Sequence, residues 1–143
     1  MVKTSESKFN RCLYFTSNAL ARKVEKLAQE TWKKVKLSPS HAYLLMLVVE
    51  EPGIQPSGLA DQLQLQPSTV TRLIEKLEEK KLLVRTSEGK TKNVYPTPKG
   101  KEIYPKMKDC AIEFHTAYAS ILGREESAKL VHTMGKFAVK ILD

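Results

Sequence analysis

Apolar positions along this chain fall at two spacings. From Pro67 to Leu77 the apolar residues are Val70, Leu73, Ile74 and Leu77, the i, i+3, i+4, i+7 pattern of a helix with one face in a core. Pro67 suits the first helical position, where its missing N–H would have no partner anyway. Ser68, Arg72 and Glu75 point the opposite way, with Thr69, Thr71 and Lys76 on the flanks. Just ahead, Gln55 to Leu63 repeats the scheme with a proline start and Leu59, Ala60 and Leu63 as its packing face. Only Gln64-Leu65-Gln66 separates the two, which is the short turn of a helix-turn-helix.

Earlier in the chain, Phe9, Cys12, Leu13, Thr16, Leu20, Val24 and Leu27 trace a stripe predicting one long helix over residues 8–36. Ala19 and Ala28 keep its margins lean, and Trp32 reads as a packing residue. A stripe this long needs cover, from a C-terminal helix or from a second chain. Ser38 and Pro39 form a cap and first turn, and Ala42 to Val49 are apolar almost all round, as in a helix buried on most sides. Glu50-Glu51-Pro52-Gly53 closes that helix.

After residue 80 the period changes to two. Leu82–Thr86 and Thr91–Tyr95 are β-prone runs joined through Ser87-Glu88-Gly89-Lys90, a hairpin following the second helix of the pair. Thr97-Pro98 restarts a helix that can run to Leu122, carrying Ile103, Met107, Cys110, Ala111, Phe114, Ala117, Tyr118 and Ile121 on one side. Pro105 is expected to kink or fray its first two turns. Gly123 separates it from a last helix carrying Leu130, Val131, Met134, Phe137, Ala138, Ile141 and Leu142. The expected fold class is mainly α with a small β-hairpin wing. The expected division is an N-terminal helix over 1–36, a winged helix-turn-helix over 37–97 and C-terminal helices over 98–143.

Charge sharpens this picture. The net charge is +8, but residues 37–65 contain no Lys or Arg and three acids, whereas 66–100 carry eight basic and four acidic residues. A basic block around the second helix and its hairpin is the expected footprint of phosphate binding. Short hydroxyls near a helix start allow close approach to phosphates, and an Arg one turn later reaches a guanine edge. Ser68, Thr69, Arg72 and Lys76 meet that description, and Arg85, Lys90 and Lys92 suit the hairpin to phosphate or minor-groove contact. Lysines also blunt exposed sheet edges, which is the plainer account of the last three.

Other chemistries find little purchase. The sequence has no Gly-rich phosphate loop, no nucleophile beside a base and no Cys/His spacing for a metal, so neither an enzyme nor a cofactor is expected. No apolar run approaches the ~20 residues of a membrane span. The start lacks an apolar signal core, and a cytoplasmic protein is expected.

The order of elements and the residues Leu59-Ala60, Leu63, Ser68 to Ile74, Leu77-Glu78, Arg85, Thr97 and Gly100 resemble the MarR family of bacterial transcription regulators. The resemblance implies a homodimer built from the first and last helices. It also implies double-stranded DNA as partner, usually a repressed palindromic operator, and release by a small aromatic or phenolic ligand. Ser57, Pro67 and Thr71 join the six residues above and Arg85 in the DNA-contact set that it implies. The family's redox-sensing branch carries a lone reactive Cys early in the first helix, and Asn10 to Phe15 resembles that neighbourhood around Cys12. Cys12, Phe15 and His41 are therefore candidates for a ligand or redox site. Against this, a Cys on an apolar stripe is commonly inert filler, and a His one turn into a helix is commonly a surface or packing residue. A winged-helix protein-interaction module is the alternative from another class.

Two departures from the family pattern stand out. The usual Gly at the end of the recognition helix is replaced by Glu79-Lys80-Lys81, so a different helix ending is expected, since positive φ at a non-glycine costs roughly 1 kcal/mol. The hairpin is about three residues shorter than the family's, and Lys90 stands where its tip Arg is expected, offering a point charge in place of a rigid fork.

Overall fold

The computed structural model describes residues 1–141; Leu142, expected on the last apolar face, lies outside the described residues. Among the described residues, beside two short 3-10 turns, there are six α-helices and one antiparallel hairpin: α1 (Leu13–Trp32), α2 (Pro39–Glu50), α3 (Pro56–Leu63), α4 (Pro67–Glu79), β1 (Leu83–Glu88), β2 (Thr91–Pro96), α5 (Pro98–Leu122) and α6 (Arg124–Lys140). Helices α2, α3, α4 and α5 each begin on a proline, where φ is already helical and no N–H is lost.

The first helix is shorter than the apolar spacing suggests. It starts at Leu13, with Cys12 as its N-cap, and gives way to a 3-10 turn over Lys33–Val35. Phe9 is 64% exposed and outside any helix, so the stripe's first members do not belong to α1. The residues α1 buries in its own chain are Ala19, Ala28 and Trp32. The small residues face the core, while Leu13 and Val24 are left exposed.

One core cluster joins Ala28 and Trp32 of α1, five residues of α2 and its approach, Leu59 and Ala60 of α3, Val70, Ile74 and Leu77 of α4, the wing residues Leu82, Leu83 and Val94, and Met107 and Cys110 of α5. It therefore runs across all three expected divisions of the chain. No residue of α6 joins it. Pro105 is accommodated within a continuous α5, contrary to the expected fraying.

The hairpin is tighter than expected. Its strands pair from Leu83↔Pro96 to Glu88↔Thr91, leaving only Gly89-Lys90 as the loop. Gly89 alone has positive φ there (65°), as a two-residue turn with glycine first requires. A third segment meets the sheet, since Val94 exchanges bonds with Gly53 and Ile54, at 2.8 Å to its carbonyl and 3.0 Å from its amide.

Where α4 ends, the chain keeps the left-handed residue that the missing Gly argued against. Lys81 sits at φ 62°, with its amide bonded to Glu78 O at 2.9 Å and that of Leu82 to Leu77 O at 3.0 Å. Those two bonds define a Schellman ending with Lys in the glycine position. Residues 97–100 hold the next carbonyls: Thr97 donates to Lys81 O through Oγ1 (2.7 Å) and to Leu82 O through its amide (3.1 Å). The cap is strong enough to impose the conformation on lysine.

Replacing Lys81 by Gly is expected to raise stability by roughly 0.5–1 kcal/mol, the αL strain less the extra freedom of Gly in the unfolded chain. Gly100→Ala is expected to do the reverse, because a Cβ there would lie 2.2 Å from the Leu82 carbonyl oxygen. A loss of roughly 1–3 kcal/mol follows from the backbone shift that such overpacking forces. Urea denaturation of both variants checks the pair of signs.

Candidate nucleic-acid interface

Helix α4 buries Val70, Ile74 and Leu77 against the core, which turns Ser68, Arg72, Glu75 and Lys76 outward as exposed residues. Arg72 makes no ion pair among the described residues. Lys76 holds only a loose contact with Glu79 at 3.7 Å, both side chains being mostly exposed. Thr69 is half-buried, and Thr71 donates its hydroxyl to Pro67 O at 3.0 Å. A phosphate needs a donor, and the Thr71 hydroxyl proton is taken up while that bond lasts.

The helix starts add backbone donors. α3 and α4 both open with Gln-Pro-Ser, at Gln55-Pro56-Ser57 and Gln66-Pro67-Ser68, with the serine in the second helical position. In each case the first intrahelical bond reaches the Gln carbonyl, from Leu59 and from Val70 at 3.1 Å. The amides of Ser57 and Ser68 are therefore among the unpaired donors of a helix N-terminus, where negative charge is favoured. Pro67 has no donor and can offer only apolar contact.

On the wing, Lys90 sits at the hairpin tip and Lys92 in β2, both exposed. Arg85 is placed differently: its guanidinium donates to Glu78 of α4 at 2.7 Å, and both side chains are only 30% exposed. It braces the wing against the reading helix, an interaction of about 1 kcal/mol at this exposure. That places it apart from the two lysines. Glu88 is also engaged, accepting from Tyr95 and Asn93 at 2.8 Å each. The Glu78–Arg85 pair escapes a periodicity argument because its partners lie in a helix and a strand. The one available sequence signal was a single acid on the buried side of α4.

His41 lies half-buried in the first turn of α2, its Nδ1 2.5 Å from Ser38 Oγ. Burial, and then the charges of Lys80, just past the end of α4, and of Lys76 within it, push its pKa below the ordinary 6.5. Cys12 is exposed at the N-cap of α1, not buried on a helical stripe, and Phe15 packs near Phe9 with ring centroids 6.0 Å apart. Tyr43 of α2 meets Trp32 with the two rings at right angles and their centroids 5.4 Å apart. Cys110 is buried in the core, where burial first and then Glu113 raise its pKa.

A helix-turn-helix whose second helix presents an open basic face, flanked by a short hairpin with cationic residues at its tip, defines a winged helix-turn-helix protein. A family model described as MarR family matches residues 36–92, the stretch from the approach to α2 into the second strand of the wing. Over those 57 of its 143 residues the chain is similar to that family, whose described members are regulators. It is similar to the uncharacterized HTH-type transcriptional regulator YybA of Bacillus subtilis (strain 168), 28% identical over 92 residues, covering 62% of this chain and 61% of YybA. It thus spans less than two thirds of that relative. It is also similar to the HTH-type transcriptional repressor MdtR of the same organism, 25% identical over 123 residues, covering 84% of this chain and 79% of MdtR. Among solved structures, the transcriptional repressor CouR bound to p-coumaroyl-CoA superposes with a TM-score of 0.85 at 19% identity, covering 97% of this chain and all of that one. At that identity the likeness is one of fold.

The His41 environment has a direct consequence for acid stability. A His whose folded pKa is lowered binds fewer protons folded than unfolded, so stability is intact above about 6.5 and falls as pH drops through the folded value. His41→Gln is expected to remove that part of the loss. Melting temperatures at pH 5 and pH 8 check it, and an equal acid-side drop in parent and variant would refute it.

Proposed function

We propose that the chain is a homodimeric, sequence-specific repressor that binds a palindromic operator in double-stranded DNA and is released by a small-molecule ligand. The observation that carries the DNA-binding part is the open face of α4. Its exposed Arg72 is unpaired among the described residues and shares the open side of the helix with Ser68 and Lys76, while Lys90 and Lys92 stand exposed on the wing. An interaction module for proteins has no need of a basic reading face. Repression is supported by the likeness to MdtR, which is named a repressor. Among the described residues no helix is long and apolar enough to cross a membrane, which accords with a cytoplasmic role.

Dimerisation is supported by the faces left uncovered. Leu13 is 68% exposed, Val131 53% and Phe137 51%, and these belong to the first and last helices. With Leu20, Val24 and Met134 they line an apolar groove of about 630 Å³ between α1, α5 and α6. Monomeric proteins rarely leave so continuous an apolar surface in water. The division of labour we propose is the helix-turn-helix and wing on DNA, with the terminal helices holding a second copy.

For DNA, Arg72→Ala is expected to cost roughly 1–3 kcal/mol and to relax base preference at one position per half-site. Lys90→Ala should instead weaken all sequences alike and lower the salt slope by about one. Selection from a random duplex pool, followed by titration at several salt concentrations, checks both. A parent chain with no salt-dependent duplex binding would leave the protein-interaction module as the surviving reading.

For assembly, light scattering at micromolar concentration is expected to give a dimer. Half-sites recovered from the selected pool should lie about one helical turn apart, roughly 10 bp centre to centre. A monomer would remove the dimer and the palindrome together. Phe137→Asp, placing a charge in the groove, should shift the dimer towards monomer without loss of helix content.

A further inference from the structure

A second cavity of about 260 Å³ opens where α2 meets α3, lined by Tyr43, Met46, Leu47, Glu50, Gln62 and Leu63. Its walls are one aromatic ring, a thioether and two leucine side chains. The polar groups are one carboxylate and one amide, and no basic residue is among them. This composition is unusual for the chain. In a protein of net charge +8, the cavity lies wholly within residues 37–65, the segment that holds three acids and no Lys or Arg.

Glu50 is held in place from a third helix. Tyr104 of α5 donates its hydroxyl to Glu50 Oε2 at 3.0 Å, which leaves Oε1 without a hydrogen bond among the described residues. Lys108 stands over the Tyr104 ring, 5.6 Å from its centroid, and is not among the residues lining the cavity. Tyr43 meets Trp32 at right angles, and the residue stays 41% exposed while lining the cavity. A carboxylate beside an aromatic ring and apolar walls attracts a cation that also carries apolar surface. The carboxylate supplies the opposite charge and the ring face adds a cation–π contribution. An anionic aromatic acid of the same size meets like charge at Glu50 and finds no counter-ion.

We infer that this cavity binds a small organic cation bearing an aromatic ring, and that such a cation is the class of effector that loosens the chain from DNA. The effector half rests on the ligand-released reading above, while the binding half stands without it. The coupling is mechanical. Gln62 and Leu63 end α3, and the left-handed Gln64 (φ 55°) passes the chain from there into α4. A ligand wedged between α2 and α3 displaces the first helix of the pair relative to the core, and the recognition helix with it. Linkage then requires that DNA weaken the cation's binding by the same factor.

The test uses the full chain and benzyltrimethylammonium as probe, with benzoate as the anionic counterpart, at matched ionic strength. Calorimetric titration of DNA-free protein is expected to give at least tenfold tighter binding of the ammonium. Glu50→Gln, at an exposed helix end where folding is undisturbed, should abolish that preference. Benzoate binding as tightly as the ammonium, absence of any binding, or a preference that survives Glu50→Gln would each overturn the assignment. In a second arm, saturating ammonium should weaken binding to the selected duplex at least tenfold in the parent and leave Glu50→Gln unaffected. Unchanged DNA affinity in the parent overturns the effector role, and a parent that binds no DNA at all overturns the regulator reading while the calorimetry still decides the site.

Discussion

The orientation of the recognition helix to the wing depends on a set of hydrogen bonds at the end of α4. Three successive carbonyls, those of Lys80, Lys81 and Leu82, are met by Lys99 Nζ at 3.2 Å, Thr97 Oγ1 at 2.7 Å and the Thr97 amide at 3.1 Å. Thr97 Oγ1 also receives the Gly100 amide at 3.1 Å as the N-cap of α5. One side chain therefore ends the reading helix and begins the long one. The Cα of Gly100 must come close to the Leu82 carbonyl for this to happen, which no other residue allows. The Glu78–Arg85 pair adds a second tie from α4 to β1. Wing, reading helix and the first turn of α5 are thus tied together by hydrogen bonds that converge on Thr97 and by the Glu78–Arg85 pair.

Outside that unit the chain divides its apolar surface between two uses. The middle of the sequence buries nearly all it has, from Leu44 and Leu45 through Val70 and Ile74 to Val94. The ends do not. On α1 the alanines meet the core while the larger stripe faces away, and on α6 only Ser127 is buried. One domain of this size has a single core to offer. Helices that cannot reach it keep their apolar faces for something else.

The sequence made the helix-turn-helix readable because each of its elements carries two independent signs, a proline or cap at the start and a 3.6-residue apolar period. Val70, Ile74 and Leu77 are buried as that period requires, and Ser38 caps α2 through the amide of His41. Misreadings arose where one sign stood alone. Phe9 and Cys12 continue the spacing of α1 but precede its first turn, since periodicity has no marker for a start without a capping side chain. The ending at Lys81 was hidden because glycine is its only local signal, and here the bonds from Thr97, sixteen residues away, do the same work. Among the expected contact residues, Ser57, Ser68, Arg72, Lys76, Lys90 and Lys92 stay open. Thr71 and Arg85 are drawn into internal bonds that no spacing rule foresees.

The left-handed lysine at the end of α4 has a consequence for the angle between that helix and the hairpin. A non-glycine at φ 62° holds roughly 1–2 kcal/mol of strain in the joint between the reading helix and the wing. Strain at a joint is shared by the two elements it connects. A residue that lies in neither the core nor the open face of α4 therefore helps to set the angle between helix and hairpin, through its backbone alone.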